Sequence, residues 1–220
     1  MNLPNKLTIF RIVLVPIMVI VPFFGIEGEI FGVPIASLII DFIFIVASLT
    51  DKLDGYIARS RNQVTAFGKF LDPLADKILV LAAMLMLVEM NKLPAWIPII
   101  VLAREFLVSG YRLIAVEKGG EVIAASVWGK LKTVTQMIAI ILAFVDLNAF
   151  GACFTGDLQG FNLILNILVT VMMIVQTIAT IVSGIDYLKG IKKYLKDWAV
   201  TLRKLKKWNL YWQISFFAVI

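Results

Sequence analysis

Four aspartates are the residues of this chain best suited to chemistry, and they lie between two long apolar runs: Asp51, Asp54, Asp72 and Asp76. A carboxylate at the centre of a membrane helix costs roughly 2.5–3.5 kcal/mol by insertion scales. Four such groups therefore need cationic compensation. A pair of divalent metal ions is the natural candidate, because carboxylate oxygens are hard ligands that such ions prefer.

The spacing of these aspartates places each pair on one helix face. Asp51 and Asp54 are three residues apart, and Asp72 and Asp76 are four apart. Two neighbouring helices would face two carboxylates against two, which suits two metals about 3.5–4 Å apart around a phosphoryl group. The alternative is a structural ion-pair network. Its basic partners would be Lys52, Arg59, Lys69 and Lys77.

Composition restricts the class of protein. The chain has 220 residues, of which 60% are hydrophobic and only 16% charged, and this is typical of a polytopic α-helical membrane protein. It has no histidine and one cysteine, Cys153, so a zinc site of Cys and His ligands and an intrachain disulfide are excluded. A carboxylate or lysine must then serve as any catalytic base. The net charge of +6 is expected from cytoplasmic loops, and we expect no nucleic-acid partner.

The apolar runs predict six transmembrane helices, at about 12–26, 33–58, 70–90, 93–116, 124–146 and 161–185. With the N-terminus in the cytoplasm, every lysine and arginine except Lys92 falls on the inner side. Both termini are therefore predicted to be cytoplasmic in a multi-pass protein of the cell membrane. Asp41 falls toward the outer half of the second span, and we expect a structural or snorkelling role for it.

The third span shows where the charges collect. Its uncharged run from Ile78 to Val88 covers about 16 Å, half of a roughly 30 Å hydrocarbon core. Its other half must contain Asp72 and Asp76. Because the spans alternate in direction, the charges of the second to fifth spans all fall at cytoplasmic ends. The predicted fold is an all-α polytopic membrane protein with six transmembrane helices around a cytoplasm-facing polar cavity.

Pro73 bears on the start of the third helix. The residue before a proline is biased away from helical conformation. Two alternatives follow: either Asp72 caps a helix at this point, or the third span is kinked.

A sequence motif joins these observations. It runs D-x-x-D-G-x-x-A-R, then eight residues, then G-x-x-x-D-x-x-x-D, and it resembles the signature of the CDP-alcohol phosphatidyltransferase family. Four blocks of the chain are similar to blocks of family members that use glycerol 3-phosphate. They are N-K-L-T-I-F-R, G-K-F-L-D-P-L-A-D-K, A-R-E-F-L-V-S-G-Y-R and G-K-L-K-T. The resemblance covers residues 1–195, and residues 196–220 form a separate, basic amphipathic tail.

The resemblance implies a homodimer with Mg²⁺ or Mn²⁺ held by Asp51, Asp54, Asp72 and Asp76. Asp76 would also be the general base. The residues implied to bind the CDP moiety are Asn5, Thr8, Asp54, Gly55, Ala58, Arg59 and Gly68. The implied reaction transfers the phosphatidyl group from CDP-diacylglycerol to sn-glycerol 3-phosphate and releases CMP. One alternative keeps this chemistry with another acceptor: phosphatidylglycerol, inositol phosphate or serine. The other is a cation- or proton-coupled transporter, in which we expect the acidic residues at the midplane of the membrane.

A phosphorylated acceptor needs fixed cations, and four basic residues of the fourth and fifth spans are candidates. Arg104 and Arg112 are about 80° apart around an ideal helix, so both can border one cavity. Lys130 and Lys132 are about 200° apart, so at most one should reach the phosphate. Lys130 is the preferred one because it follows Gly129.

Overall fold

The computed structural model describes the backbone of residues 2–60, 66–117 and 127–217, and it describes side chains at 2, 5–51, 68, 71–110, 129 and 131–188. Within these ranges the chain forms six α-helices. They are α1 (Leu3–Ile20), α2 (Ile35–Ser60), α3 (Ala66–Glu89), α4 (Trp96–Glu117), α5 (Val127–Val145) and α6 (Gly160–Phe217). The prediction of a mainly helical fold is confirmed.

Short elements occupy two of the connections. A 3₁₀ turn, Val21–Phe24, follows α1 and leads to an antiparallel hairpin of β1 (Glu29–Ile30) and β2 (Val33–Pro34). A second 3₁₀ turn, Ala152–Phe154, lies between α5 and α6.

The helices are suited to a membrane. Among the described residues, the segments Asn5–Phe24 and Gly160–Leu188 are long and apolar enough to cross one, and Leu131–Val145 is a shorter apolar helix. Large apolar side chains such as Phe42 and Ile99 are exposed on the outside of the bundle. The chain is therefore an integral membrane protein, and the number of its spans stays a prediction.

The packing of the helices brings the second and third helices against the first. α1 contacts α2 and α3, α5 contacts α2 and α6, and α4 contacts α6 and α3. The fully buried core includes Met18, Phe44, Leu79 and Ile140, one from each of α1, α2, α3 and α5. α1 thereby lies beside both helices that carry the predicted aspartates.

The start of α3 excludes one of the two alternatives for Pro73. α3 begins at Ala66 and continues through Pro73 to Glu89. Asp72 therefore lies inside the helix, and the alternative in which it caps a helix is wrong. Pro73 has no N–H to donate to the carbonyl of Lys69 four residues earlier, so the helix crosses this point with one hydrogen bond fewer.

The fourth helix starts at Trp96, three residues after the predicted start near Leu93. The reason is the way α3 ends. The N–H groups of Lys92 and Leu93 both donate to the carbonyl of Leu87, at 2.9 and 3.2 Å, and Asn91 has a positive φ of 56°. A left-handed residue after the last turn closes a helix in this way. Leu93 thus belongs to the closure of α3.

The last helix is longer than the predicted sixth span. α6 continues without a break from Gly160 to Phe217 and so crosses both residue 185 and the boundary at 195. The described side chains end at Leu188. The prediction of a separate basic tail at 196–220 therefore stays a prediction.

Polar contacts tie together the helix ends opposite the predicted site. Lys92 donates from Nζ to the carbonyl of Phe144 at 2.9 Å, and Asn166 donates from Nδ2 to Asp146 at 2.8 Å. Burial lowers the pKa of Lys92, and the Asp146 and Asp41 carboxylates partly oppose this effect. Asp41 is buried here, about 15 Å along α2 from Asp51. This location agrees with the expected structural role of Asp41.

Candidate functional site

Two side chains of α1 hold two of the predicted aspartates. Thr8 donates from Oγ1 to Asp72 Oδ1 at 2.6 Å. Arg11, which is completely buried, pairs through Nη1 with Asp51 Oδ1 at 2.8 Å and donates from Nε to the carbonyl of Ala47 at 3.3 Å. Thr8 and Arg11 are three residues apart and share a helix face. One face of α1 therefore orients a carboxylate on α2 and another on α3.

Asp76 lies one turn after Asp72 on α3 and is partly exposed. The negative charges of Asp51 and Glu105 and the positive charges of Lys132 and Arg11 all act on its carboxylate. Charged groups on α1, α2, α4 and α5 therefore influence the carboxylate of Asp76. The predicted convergence of Asp51 and Asp76 from separate helices agrees with this arrangement.

The fit to a divalent metal depends on the donor set. Asp51, Asp72 and Asp76 supply carboxylate oxygens, which Mg²⁺ and Mn²⁺ prefer, and a cation would relieve the repulsion between Asp51 and Asp76. Among the described side chains, no three metal-binding groups gather closely enough to hold an ion. The fourth predicted ligand, Asp54, lies outside them. The chemistry of the donors fits a metal, and the metal site stays a prediction.

The residues predicted to bind the CDP moiety are described only in part. Asn5, Thr8 and Gly68 are buried. The hydroxyl of Thr8 donates to Asp72, so its observed contact orients a carboxylate. The side chains of the others lie outside the described residues: Asp54, Gly55, Ala58 and Arg59.

A cavity of about 330 Å³ lies between α3, α4 and α5, with Asp76 on its wall. Its charged lining residues are Asp76, Lys77, Arg104, Glu105 and Lys132. Val80 follows the charged lining residues of α3, Met137 follows that of α5, and Val101 precedes those of α4. This order is the one expected when helices alternate in direction, and it collects the charges at one end of the cavity.

Glu105 is the link between the cations of this cavity. Its Oε1 accepts from Lys132 Nζ at 2.6 Å and from Arg104 Nη1 at 3.0 Å. Its backbone carbonyl accepts from Ser109 Oγ at 2.7 Å, and Lys77 donates to the same hydroxyl. One glutamate therefore connects basic side chains of α3, α4 and α5.

Arg104 is also fixed to the last helix. Its Nη2 donates to the buried Ser183 Oγ at 2.7 Å, and its guanidinium carbon lies 5.7 Å from the centre of the Tyr187 ring. A Cβ at Gly184 would lie 3.6 Å from Arg104 Cγ, so this glycine lets the arginine stem pack closely against α6.

The four predicted acceptor cations divide into two groups. Arg104 and Lys132 line the same cavity as Asp76. Lys132 is buried and its ammonium lies against Glu105. The side chains of Arg112 and Lys130 are outside the described residues. The preference for Lys130 therefore stays untested, while Lys132 has the observed position in the cavity.

Sequence reasoning missed two residues that organise the site. Arg11 was counted only as a basic residue of the cytoplasmic side, although it lies three positions after Thr8 in the N-K-L-T-I-F-R block. For Glu105, the sequence left open that Arg104 pairs with a neighbouring acid, but it did not predict the contact of Glu105 with Lys132. An acid adjacent to Arg104 in an apolar helix was the available signal, because a charge at such a place needs a partner.

Comparisons with known proteins agree with the motif. The sequence model of the CDP-alcohol phosphatidyltransferase family matches residues 1–183. A Bacillus subtilis protein named CDP-diacylglycerol--glycerol-3-phosphate 3-phosphatidyltransferase is 50% identical over 144 residues, which are 63% of this chain and 74% of the relative.

Two further relatives bear the same name. The one from Haemophilus influenzae is 38% identical over 89% of this chain and 96% of its own length. The one from Rickettsia bellii is 37% identical over 88% of this chain and 97% of its own length. These matches extend through the aspartate region and most of the six helices, and with the family match they show that this chain belongs to the CDP-alcohol phosphatidyltransferase family.

Proposed function

We propose that the chain transfers the phosphatidyl group from CDP-diacylglycerol to sn-glycerol 3-phosphate, giving phosphatidylglycerophosphate and CMP. The relatives named for this reaction support the assignment. The observation that carries it is the cavity itself, which is lined by Asp76, Arg104 and Lys132. A carboxylate beside two cations is the combination required by an acceptor that has both a hydroxyl and a phosphate.

Asp76 is the proposed general base. Its carboxylate takes the proton of the acceptor hydroxyl while that oxygen attacks the phosphorus that carries the diacylglycerol group. The new phosphorus–oxygen bond forms as the bond to CMP breaks, and CMP leaves with the electron pair. Asp76 suits this role because it is only partly exposed and lines the cavity beside the cations.

Members of the family depend on divalent metals, and we assign the ligands here to Asp51, Asp54, Asp72 and Asp76. Bound Mg²⁺ or Mn²⁺ would neutralise charge on the pyrophosphate group of the donor. The contribution of the chain is orientation: Thr8 fixes Asp72, and Arg11 fixes Asp51. Such outer contacts commonly set the geometry of metal-binding carboxylates.

The acceptor phosphate is assigned to Arg104 and Lys132, with Arg112 and Lys130 as further candidates. Glycerol 3-phosphate has a phosphate dianion that serine and other plain alcohols lack. Two fixed cations beside Asp76 therefore favour a phosphorylated acceptor. Inositol phosphate is the alternative that shares this feature, and the assay below separates it from glycerol 3-phosphate.

We also propose the setting of this reaction. The chain would cross the membrane six times, with both termini and the catalytic cavity on the cytoplasmic side, as a homodimer. The lipid donor would then reach Asp76 from the inner leaflet, and the soluble acceptor would enter from the cytoplasm. The basic residues support this orientation, since all but Lys92 fall on one side.

The test is a direct assay of purified protein in detergent micelles with CDP-diacylglycerol. Radiolabelled glycerol 3-phosphate should enter a lipid product in proportion to CMP release, and Asp76→Asn should abolish both. Serine, inositol phosphate and phosphatidylglycerol serve as competing acceptors. CMP release with one of these in place of glycerol 3-phosphate would change the acceptor. Absence of CMP release with all four would remove the transferase assignment and favour a transporter.

A further inference from the structure

The carboxylate of Glu105 has no role in the proposed reaction, yet it contacts two of the proposed acceptor cations. Its Oε1 lies 2.6 Å from Lys132 Nζ and 3.0 Å from Arg104 Nη1. Lys132 belongs to α5 and Arg104 to α4, so this single oxygen brings together cations from two helices. The side chain of Glu105 is four-fifths buried, with 20% of its surface exposed.

Two cations this close would repel each other without an anion between them. Their side chains are also poorly hydrated, with 12% of Arg104 and 8% of Lys132 exposed. Repulsion between like charges is stronger in such surroundings than in water. The shared carboxylate offsets this repulsion and holds both groups at the end of the cavity nearest Asp76.

The contacts with Glu105 use only part of the donor capacity of the two cations. An ammonium has three N–H donors and a guanidinium has five. Lys132 gives one of them to Glu105, and Arg104 gives one to Glu105 and one to Ser183. Donors therefore remain for phosphate oxygens once the two side chains are in place.

The main chain of Glu105 is held as well. Its carbonyl accepts from the Ser109 hydroxyl, which in turn accepts from Lys77 on α3. A residue fixed at both its carbonyl and its carboxylate has little freedom to move. Such rigidity is what a site needs to hold binding groups in position before the ligand arrives.

We propose that Glu105 is the positioning residue of the acceptor site, whose carboxylate holds Arg104 and Lys132 together so that their remaining N–H groups bind the acceptor phosphate. This inference rests on the proposed function. Glu105 itself does not touch the reacting atoms. Its effect should therefore appear in the binding of the acceptor, while the binding of CDP-diacylglycerol is unchanged.

The test measures both Michaelis constants in the Glu105→Gln variant, which keeps the shape of the side chain and removes its charge. We expect the KM for glycerol 3-phosphate to rise about tenfold or more and that for CDP-diacylglycerol to stay within about twofold. Glu89→Gln is the matched control, because Glu89 is exposed at the far end of α3. It should leave both constants unchanged.

A double-mutant cycle separates positioning from a general structural role. If Glu105 acts partly through Lys132, the rise in the KM for glycerol 3-phosphate in the Glu105→Gln/Lys132→Met double variant should be smaller than the product of the two single-variant rises. Glu105→Asp keeps the charge but shortens the side chain, so it should raise that KM by a smaller factor. If Glu105→Gln does not fold, the KM values of Glu105→Asp alone test the positioning role.

Several results would overturn the inference. A lower KM for glycerol 3-phosphate in Glu105→Gln would mean that the glutamate competes with the acceptor. The positioning role would be refuted by equal rises in both Michaelis constants, or by additive effects on KM in the double-mutant cycle. It would also be refuted if both Michaelis constants were unchanged in Glu105→Asp and Glu105→Gln. Failure of the proposed function is distinct, because the wild-type protein would then form no lipid product from glycerol 3-phosphate.

Discussion

Arg11 of α1 and Asp51 of α2 form an ion pair of 2.8 Å in which the arginine side chain is completely buried and the carboxylate is 37% exposed. The buried cation therefore faces a group that borders the open part of the site. It also donates to the carbonyl of Ala47, one turn before Asp51. This pair fixes α1 against α2 at the level of the aspartate motif.

Arg11→Met should destabilise the protein, because it removes the partner of Asp51 and leaves space in the α1–α2 contact. Since Asp51 is partly exposed, we expect a loss of about 1–3 kcal/mol, below the range for a wholly buried pair. Thermal unfolding in detergent measures it. Lys6→Met, at an exposed position of the same helix, is the control and should change little. Equal melting temperatures for both variants would refute the prediction.

Thr8→Val should weaken the metal site while the fold remains. The change keeps the size of the side chain and removes the hydroxyl that donates to Asp72. Loss of such an outer contact typically costs 10–100-fold in metal affinity or activity, and we expect at least about tenfold more Mg²⁺ to be needed for half-maximal activity. Thr8→Ser restores the hydroxyl and should restore the wild-type requirement. A serine variant as impaired as the valine variant would mean that the methyl group matters instead.

Removal of divalent metal should abolish activity, because the proposed ligands Asp51, Asp54, Asp72 and Asp76 are carboxylates, which need a cation to bind the pyrophosphate group of the donor. Activity should return with Mg²⁺ or Mn²⁺. Added Mg²⁺ should also raise the melting temperature of the wild-type protein, since it binds only the folded state. Asp72→Asn should show a smaller increase. Full activity in excess chelator would exclude the metal site.

Asp76→Asn should lower turnover by at least about a hundredfold while the fold survives, because the amide keeps the shape but cannot accept the proton. Asp41→Asn is the comparison. Asp41 is buried about 15 Å along α2 from Asp51 and should not be needed for the chemistry. Turnover near the wild-type rate in Asp76→Asn would reassign the base. Loss of activity in Asp41→Asn equal to that in Asp76→Asn would refute its structural role.

Cys153 should be labelled by an impermeant thiol reagent from outside the membrane. It lies in the connection between α5 and α6 and is half-buried, so labelling should be slow but measurable. In a Cys153→Ser background, Lys6→Cys places a thiol at an exposed position of α1 and should be labelled only after lysis. The reverse pattern would invert the proposed orientation.

The sequence alone was sufficient to predict the helices and the family. Long apolar runs determine helical spans locally, and the spacing of Asp51, Asp54, Asp72 and Asp76 places each pair on one helix face whatever the surroundings. The motif was sufficient to predict the family, and the comparisons confirmed this prediction. Local signals were weaker at helix ends, where the closure of α3 moved the start of α4 from Leu93 to Trp96.

Only the tertiary structure decided which charges meet. Glu105 lies beside Arg104 in the sequence, but its contact with Lys132 spans 27 residues, and Arg11 lies 40 residues before Asp51. Such pairs depend on how each helix is rotated and where it crosses its neighbours, and these are set by the packing of whole apolar faces. Spacing along one helix carries no information about that rotation. For this reason the sequence indicated which charged residues need a partner but did not identify the partners on other helices.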